Sequence, residues 1–320
     1  LVFKEDQHNI VNLNPTMQDK GTVTWFYGRN GEQHILIVGL GKKSEFRLDT
    51  LREAAGNAGR SIKKDQIKSL EVNFEALQEL VQPGEICSEG DAITAWVEGF
   101  LLGAYAFDRY KSEKEPVSMN YMQIVPVSDL DFNEAVRRAK IHAKATALTR
   151  NLVNEPANHL NPMSFMERIN ARFSGRNVRL RVYRGEDLKR EKMEGLRAVG
   201  RGSKNPPAMV EIRYTTDPKL PLLALVGKGI TFDMGGMNVK TGRDISDMRC
   251  DMGGAAAVVG ALDIITELAL KANVVALLPI AENLPDGGAY LPSHVIEYPN
   301  GLSVQVGNTD AEGRLILADA

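Results

Sequence analysis

The amino-acid sequence predicts an α/β protein of two domains, each a mostly parallel or mixed sheet covered by helices and joined by a long helix. Its 320 residues exceed the roughly 250–300 at which a single hydrophobic core stops growing. Short apolar runs alternate with segments of helical periodicity in both halves of the chain, which is typical of sheets covered by helices. A hydrophobic share of 43% supplies enough apolar residues for two cores.

The N-terminal half alternates strands and helices. Three apolar runs are predicted strands: residues 34–41, 67–74 and 122–127. Two segments are predicted helices: one capped by Asp49 and running to about Arg60, and one over residues 93–110. Residues 1–130 are therefore the predicted N-terminal domain.

A helical segment rich in Ala, Arg and Lys over residues 131–153 is the predicted linker. Its far boundary is marked by Asn154-Glu155-Pro156 and Asn161-Pro162, because proline stops helices. Residues 154–320 then form the second domain, with five predicted strands: 177–183, 208–214, 221–226, 272–280 and 302–306. Helices are predicted over residues 251–270 and from Leu315. Continuous apolar strands separated by helices indicate a largely parallel sheet, with its site at the carboxyl ends of the strands.

Charge and composition exclude several function classes. Lys and Arg total 39 and Asp and Glu total 41, so a net charge of -2 gives no basic surface for nucleic acid or anionic membranes. No apolar run reaches the roughly 18–20 residues of a membrane-spanning helix. Cys87 and Cys250 stand far apart in unlike contexts, which argues against a disulfide framework and fits a reducing compartment.

Three glycine-rich acidic segments stand out in the second domain: residues 226–240, 249–256 and 307–315. Each follows a predicted strand or begins a helix, and glycine lets backbone approach a ligand closely. Together they carry four carboxylates, those of Asp233, Asp251, Asp310 and Glu312. Four such charges in apolar surroundings are costly without cations, and two divalent ions would balance them. The pattern predicts a two-metal site.

Each of these residues also has a simpler structural explanation. Asp251 is a candidate helix N-cap, Asp310 and Glu312 suit the first turn of a helix, and Lys228 is a candidate surface lysine. These explanations hold for single residues. They do not explain why three glycine-rich acidic segments follow successive strands.

The three segments resemble the signature segments of the leucyl aminopeptidase (cytosol aminopeptidase, M17) family. The matching stretches are residues 227–233, GKGITFD, residues 251–256, DMGGAA, and residues 308–315, NTDAEGRL. The last stretch matches the family signature residue for residue. The similarity covers about residues 150–320, whereas the first 150 resemble the family's variable, macro-like N-terminal domain only in pattern.

The resemblance implies roles for seven residues. Asp233 and Glu312 correspond to the carboxylates that bridge two metal ions. Three further ligands are implied: Lys228 and Asp251 on one ion, and Asp310 on the other. Lys240 corresponds to the lysine that polarises the scissile carbonyl, and Arg314 to the arginine that holds a bicarbonate, the proposed general base.

The resemblance also implies what the protein acts on and with. The expected activity is release of N-terminal amino acids, leucine-like residues preferred, from peptides with a free N-terminus, by a water activated between two metals. Oxygen-rich ligation with one amine suits Mn²⁺ or Zn²⁺, with Mg²⁺ and Co²⁺ as alternatives. A homo-hexamer in the cytoplasm is implied. Because the family's catalytic domain extends beyond the last signature segment, we expect the natural protein to continue past Ala320.

Three other functions stay open on the sequence. Residues 39–42, GLGK, are glycine-rich after a strand, but they do not form a P-loop and favour a simple turn over nucleotide binding. A DNA-binding role, which some relatives have, gains no support from the near-neutral charge. A pseudoenzyme is the third alternative, although all seven matched site positions are intact.

Overall fold

A computed structural model of the chain describes seven stretches: residues 1–6, 13–29, 32–81, 86–114, 119–128, 131–242 and 244–320. They divide into two compact units, Leu1–Ala147 and Leu148–Ala320. In both, helices pack on sheets, which confirms the predicted α/β fold class. No described helix has the length and apolar character needed to cross a membrane.

The first unit contains two small sheets and two packed helices. Strands β1 and β2 pair antiparallel and β3 and β4 pair parallel: Val23–Phe26, Ile35–Val38, Ser69–Asn73 and Tyr121–Val125. Its first two helices are α1, Leu48–Lys64, and α2, Glu89–Gly103. These helices touch through backbone, because a Cβ on Gly103 would lie 2.0 Å from the carbonyl oxygen of Gly56.

Helix starts in this unit differ from the predicted ones. Helix α1 is capped by Arg47 without a side-chain hydrogen bond, and Asp49 lies inside its first turn, where the helix dipole favours a carboxylate. Helix α2 begins earlier than residue 93, after Ser88, whose hydroxyl accepts a hydrogen bond from the backbone of Asp91. The third helix, α3, spans Asn133–Asn154, in the region of the predicted linker.

The glycine-rich loop after β2 is a strand-ending turn. The backbone N–H of Gly41, which has φ +78°, donates to Gln18, and the N–H of Gly39 donates to Thr22. Both glycines therefore direct their N–H groups at the protein's own carbonyls. This arrangement favours the turn that the sequence indicates at residues 39–42.

The second unit is built on one five-stranded sheet, with the strands β5 Arg179–Arg184, β6 Ala208–Thr215, β7 Leu222–Val226, β8 Gly229–Asp233 and β9 Asn273–Asn283. The strand order is β5-β6-β9-β7, and β8 also pairs with β9. Strands β7 and β8 run parallel to β9, whereas β6 is antiparallel to both of its neighbours. Four strands therefore run in one direction and β6 runs against them, which agrees with the predicted mostly parallel or mixed sheet. A buried antiparallel strand shows the same continuous apolar pattern as a parallel one, so the pattern does not reveal direction.

Helices cover both faces of this sheet. They are α4 Pro162–Phe173, α5 Glu186–Arg190, α6 Glu194–Val199, α7 Gly253–Glu267 and α8 Glu312–Leu317. Alternate side chains of β9 enter two separate cores: Val274 and Leu278 pack in the core that includes α4 and α7, and Ala281 packs in the core that includes α6 and α8. Strand β9 is thus the central, doubly buried strand. A hairpin of β10, Val295–Glu297, and β11, Ser303–Gln305, precedes α8.

The start of α4 corrects the interpretation of Asn161-Pro162. Asn161 is the N-cap of this helix, and its side chain and that of Ser164 exchange hydrogen bonds with each other's backbone. Pro162 occupies the first helical position, where its missing N–H costs nothing. The dipeptide therefore begins a helix as well as ending the preceding segment.

Candidate metal centre

Parallel strands bring the site residues to one edge of the sheet. Strand β8 ends at Asp233, and β9 ends at Asn283, its partner in the register. The carboxyl ends of parallel neighbours meet at the same edge. The start of α7 and the segment leading from β11 into α8 complete this edge with Asp251, Asp310 and Glu312.

The position of Lys228 follows from an interruption between β7 and β8. The start of β8 keeps the register of β7 against β9, which shifts only between Ile230 and Asp233, and the N–H of Gly227 still donates to Leu277 at 3.0 Å. The carbonyl of Lys228 instead accepts a hydrogen bond from Ala255 in α7 at 2.8 Å. A Cβ on Gly227 would lie 2.7 Å from the carbonyl oxygen of Gly254, so glycine is what lets α7 begin here.

Three carboxylates form the centre of the site. Asp233, Asp310 and Glu312 can each offer an oxygen atom such that all three lie within 4.8 Å of one another. Asp233 and Glu312 are buried, and Asp310 is exposed on the side of the site that faces solvent. Buried carboxylates at this separation repel one another and need cations as partners.

Two lysine amines each bridge a pair of carboxylates. Lys228 Nζ lies 2.7 Å from Glu312 Oε1 and 2.7 Å from Asp251 Oδ2. Lys240 Nζ lies 2.8 Å from Asp233 Oδ2 and also contacts Asp310. Burial alone would lower the pKa of each lysine, but the paired carboxylates outweigh it and raise both pKa values above the ordinary one. Both amines are therefore cationic at neutral pH.

Asp251 does not cap helix α7. It lies in a 3-10 turn, Ser246–Met252, and the cap position is taken by Met252 without a side-chain hydrogen bond. Burial raises the pKa of Asp251 to about 6, reinforced by the charges of Asp233 and Glu312 and opposed by Lys228. Its Oδ2 is buried and makes no hydrogen bond with the described residues, although it lies beside the Lys228 amine.

The residues present fit divalent cations. Four carboxylates meet two ammonium groups, so the cluster keeps an excess of negative charge. Carboxylate oxygens and one lysine nitrogen form a hard donor set that suits Mn²⁺, Zn²⁺ or Mg²⁺. The structure thus brings together six of the seven residues singled out in the sequence. Arg314 is the exception: it is exposed on α8, and its side chain has no partner among the described residues.

The two loops that carry the carboxylates are joined by residues that the sequence did not single out as functional. The backbone N–H of Thr309 donates to Asn238 Oδ1 and that of Asn238 to Thr309 Oγ1, both at 2.8 Å. The Thr309 hydroxyl donates to the carbonyl of Gly235 at 2.6 Å. Gly235 has φ +90°, and a Cβ there would lie 2.3 Å from the Asn238 carbonyl oxygen. The reciprocal pairing keeps Asp233 and Asp310 on facing loops.

A buried tyrosine supports the same segment. Tyr290 is 1% exposed, and its hydroxyl donates to the carbonyl of Thr309 at 2.7 Å. Burial raises its pKa far above the ordinary value, and the charges of Glu312 and Asp233 add to this effect. Tyr290 therefore stays a neutral donor. Within the sequence it is one tyrosine among eight and carries no motif that would have marked it.

Comparison with known proteins identifies both halves of the chain. Residues 147–320 match the cytosol aminopeptidase family, catalytic domain, and residues 16–114 match the N-terminal domain of the same family. A probable cytosol aminopeptidase of Sulfurihydrogenibium sp. (strain YO3AOP1) is 38% identical over 301 residues, covering 92% of this chain and 57% of that protein. One of Aquifex aeolicus (strain VF5) is 38% identical over 286 residues, covering 89% and 56%.

A solved structure gives the same result. The bottromycin maturation enzyme BotP in complex with Mn is similar with a TM-score of 0.81 and 35% sequence identity, covering 94% of this chain and 62% of that one. The chain thus spans less than two thirds of the length of the relatives it matches. The resemblance carried by the signature segments is confirmed, and the chain belongs to the cytosol aminopeptidase family.

Proposed function

We propose that the protein is a metal-dependent aminopeptidase that releases N-terminal amino acids, leucine-like residues preferred, from peptides with a free N-terminus. The observation that carries the proposal is the meeting of four carboxylates and two lysine amines at one edge of the sheet in a member of this family. The relatives from Sulfurihydrogenibium and Aquifex are described as probable cytosol aminopeptidases, which supports peptide hydrolysis.

Five side chains would hold two divalent cations: Lys228, Asp233, Asp251, Asp310 and Glu312. Asp233 and Glu312 would contact both ions, Lys228 and Asp251 one of them, and Asp310 the other. A similar structure that contains Mn supports Mn²⁺, and the donor set also suits Zn²⁺, Mg²⁺ or Co²⁺. When bound, such a pair lowers the pKa of a water molecule and stabilises the oxygens of a tetrahedral species.

Lys228 would have to give up a proton to become a ligand. Its carboxylate neighbours hold the amine charged, because they raise its pKa. With a divalent cation held there, Asp251 and Glu312 would no longer need the ammonium charge, and the amine of Lys228 would release its proton. Metal binding and proton release are therefore coupled at this residue.

Lys240 would act on the substrate rather than on the metals. Its amine lies between the buried Asp233 and the more exposed Asp310, and it is cationic at neutral pH. A fixed positive charge there would polarise the scissile carbonyl and stabilise the oxyanion that develops during attack. Arg314, exposed near Glu312 on α8, would hold a bicarbonate that serves as general base.

Assembly and location follow from the family. A cytoplasmic location is supported by the description of the relatives as cytosol aminopeptidases. A homo-hexamer is proposed on the family resemblance alone. A DNA-binding role has no support in the net charge of -2. Peptides remain the proposed partners.

Metal removal tests the proposed function directly. The intact protein is stripped with a chelator, its metal content is checked by elemental analysis, and hydrolysis of leucyl p-nitroanilide is measured before and after addition of Mn²⁺ or Zn²⁺. We expect activity to vanish and to return with the metal. An N-terminally acetylated peptide serves as control, because an aminopeptidase needs the free amine. Full activity of the metal-free protein would refute the proposal.

A further inference from the structure

Asn283, at the end of β9, contacts the carboxylates of the candidate centre from inside the protein. Its side chain is 0% exposed. The amide nitrogen donates to Asp233 Oδ1 at 2.8 Å and to the carbonyl of Thr309 at 3.0 Å, and it lies 3.4 Å from Glu312 Oε2. One amide group therefore touches both proposed bridging carboxylates and the backbone beside Asp310.

Chemistry decides how this amide is oriented. All three neighbours are acceptors, and an asparagine has its two donors on nitrogen and none on oxygen. The NH₂ group must face the carboxylates, so the oxygen faces away from them. That oxygen is buried and makes no hydrogen bond within the described part of the chain, and a Cβ on Gly236 would come within 2.7 Å of it. A buried oxygen without a hydrogen bond carries a desolvation penalty, so the orientation is maintained at a cost in stability.

A neutral donor suits this position better than a charged one. A lysine here would compete with divalent cations for the carboxylates, and an aspartate would add a further negative charge. The Asn283 amide fixes the rotation of the Asp233 carboxylate and leaves the opposite oxygen, Oδ2, to Lys240. The backbone carbonyl of Asn283 also accepts from the N–H of Met234 at 2.9 Å, so the loop after β8 is held at two points.

We infer that Asn283 is a positioning residue of the metal centre, which holds Asp233 and the segment from Thr309 to Glu312 in the arrangement that binds cations. The inference rests on the proposed function. Partners that orient metal ligands from behind commonly contribute 10–100-fold to metal affinity. Without the amide, the backbone N–H of Gly235 is the remaining hydrogen-bond donor to Asp233 Oδ1 among the described residues.

The same strand offers a matched control. Asn273, at the opposite end of β9, is 7% exposed, and its amide donates to the carbonyls of Asp217 and Leu220 at 2.6 and 2.8 Å. It joins a turn to the sheet, as Asn283 does, but it lies ten residues along an extended strand, roughly 33 Å away. Its loss would destabilise the fold without reaching the carboxylates.

The test compares Mn²⁺ affinity, measured by isothermal titration calorimetry on metal-free intact protein, in wild type, Asn283→Ala and Asn273→Ala. We expect Asn283→Ala to raise the Kd by about 10–100-fold and Asn273→Ala to leave it unchanged while lowering Tm. Asn283→Leu fills the space without a donor, and we expect the same loss of affinity from it. This variant keeps the measurement available if the alanine variant folds poorly.

The outcomes separate the inference from the proposed function. Wild-type affinity in Asn283→Ala or Asn283→Leu would overturn the positioning role and leave the proposed metal centre standing. An equal loss of affinity in Asn273→Ala would also overturn it, because the effect would then be a general consequence of a weakened sheet. A wild-type protein that binds no Mn²⁺ or Zn²⁺ would overturn the metal centre and with it the role of Asn283.

Discussion

The two ends of helix α7 each bury a carboxylate against basic side chains, but the bases differ. Near the end of the helix, Asp263 is 1% exposed and pairs with Arg172 through two parallel hydrogen bonds of 2.7 and 2.6 Å, with Arg176 at 2.9 Å. Just before the helix begins, Asp251 pairs with Lys228. Both arrangements neutralise an acid, which is buried at Asp263 and half-buried at Asp251, and only the second lies in the candidate centre.

The difference indicates how a structural ion pair is distinguished from a metal site. A guanidinium group keeps its charge at every pH and binds a carboxylate through a rigid fork, so it cannot give way to a cation. A lysine amine can lose its proton and become a ligand itself. Arginine beside Asp263 therefore makes a permanent connection, whereas lysine beside Asp251 permits exchange with a metal ion.

The largest effect is expected from replacing the lysine beside Asp251 with arginine, the base that stands beside Asp263. Lys228→Arg keeps the positive charge and the contact with Asp251 but removes a nitrogen that can be deprotonated. We expect loss of one of the two metal ions and of detectable peptide hydrolysis. Elemental analysis after gel filtration, together with the leucyl p-nitroanilide assay, measures both. Full metal content in this variant would show that Lys228 is no ligand.

A smaller effect is expected at the second lysine of the cluster. Lys240 also bridges two carboxylates, yet its proposed role is to stabilise charge on the substrate. We expect Lys240→Ala to keep both metals and to lower kcat by about 10²–10³, the range for loss of one oxyanion donor. Measuring metal content and kcat in the same preparation separates the two lysines. Metal loss in this variant would make Lys240 part of the metal-binding set.

The sequence identified most of the candidate centre because its chemistry lies in glycine-rich segments that follow strands. Parallel strands carry such segments to one edge, so Lys228, Asp233 and Asp251 could be placed together without coordinates. Asn283 could not be found in this way. It lies beyond the predicted end of its strand, at residue 280, and its partners are 26 to 50 positions away with no motif to connect them.

The fold was predictable to the same degree. Apolar runs located four strands of the five-stranded sheet but not β8, which lies inside a segment singled out for its glycines and carboxylate. The direction of β6, which runs antiparallel to both neighbours, was not predictable because buried parallel and antiparallel strands share one pattern. The pair Asp263 and Arg172 was also hidden, since 91 positions separate them along the chain. Contacts that depend on how helices pack on a sheet leave no local pattern.

The pH dependence of metal binding would sharpen the comparison further. A metal must displace the Lys228 proton throughout the neutral range and, below the Asp251 pKa of about 6, a second proton from that carboxyl. Affinity should therefore rise about tenfold per pH unit above 6 and more steeply below it, because protons compete with the ion. Mn²⁺ titrations at pH 5 to 8 measure the slope. Asp251→Asn should remove the change of slope near pH 6. A Mn²⁺ affinity that does not change with pH above 6.5 would contradict a neutral Lys228 ligand.

The smallest effect is expected from the reverse substitution, in which lysine replaces an arginine beside Asp263. Arg172→Lys leaves one point contact where the guanidinium made two parallel hydrogen bonds, and Arg176 continues to neutralise Asp263. Losing one hydrogen bond to a charged group should lower the free energy of unfolding by about 1–2 kcal/mol. Asp263 lies 12 residues beyond Asp251, so this pair is roughly 18 Å from the centre along the helix.

Urea denaturation of wild type and Arg172→Lys measures that loss, and calorimetry with Mn²⁺ measures whether it reaches the metal centre. The Kd for Mn²⁺ should stay within a factor of about two of the wild-type value, because distant sites that share no contact respond independently to substitution. Lysine at position 172 should also fail to create a new metal site, since Arg176 keeps its charge and continues to pair with the carboxylates of both Asp263 and Glu267. A tenfold rise in Kd would show that the two ends of α7 are coupled. The choice between arginine and lysine as the base would then not be enough to distinguish a permanent ion pair from one that exchanges with a metal ion.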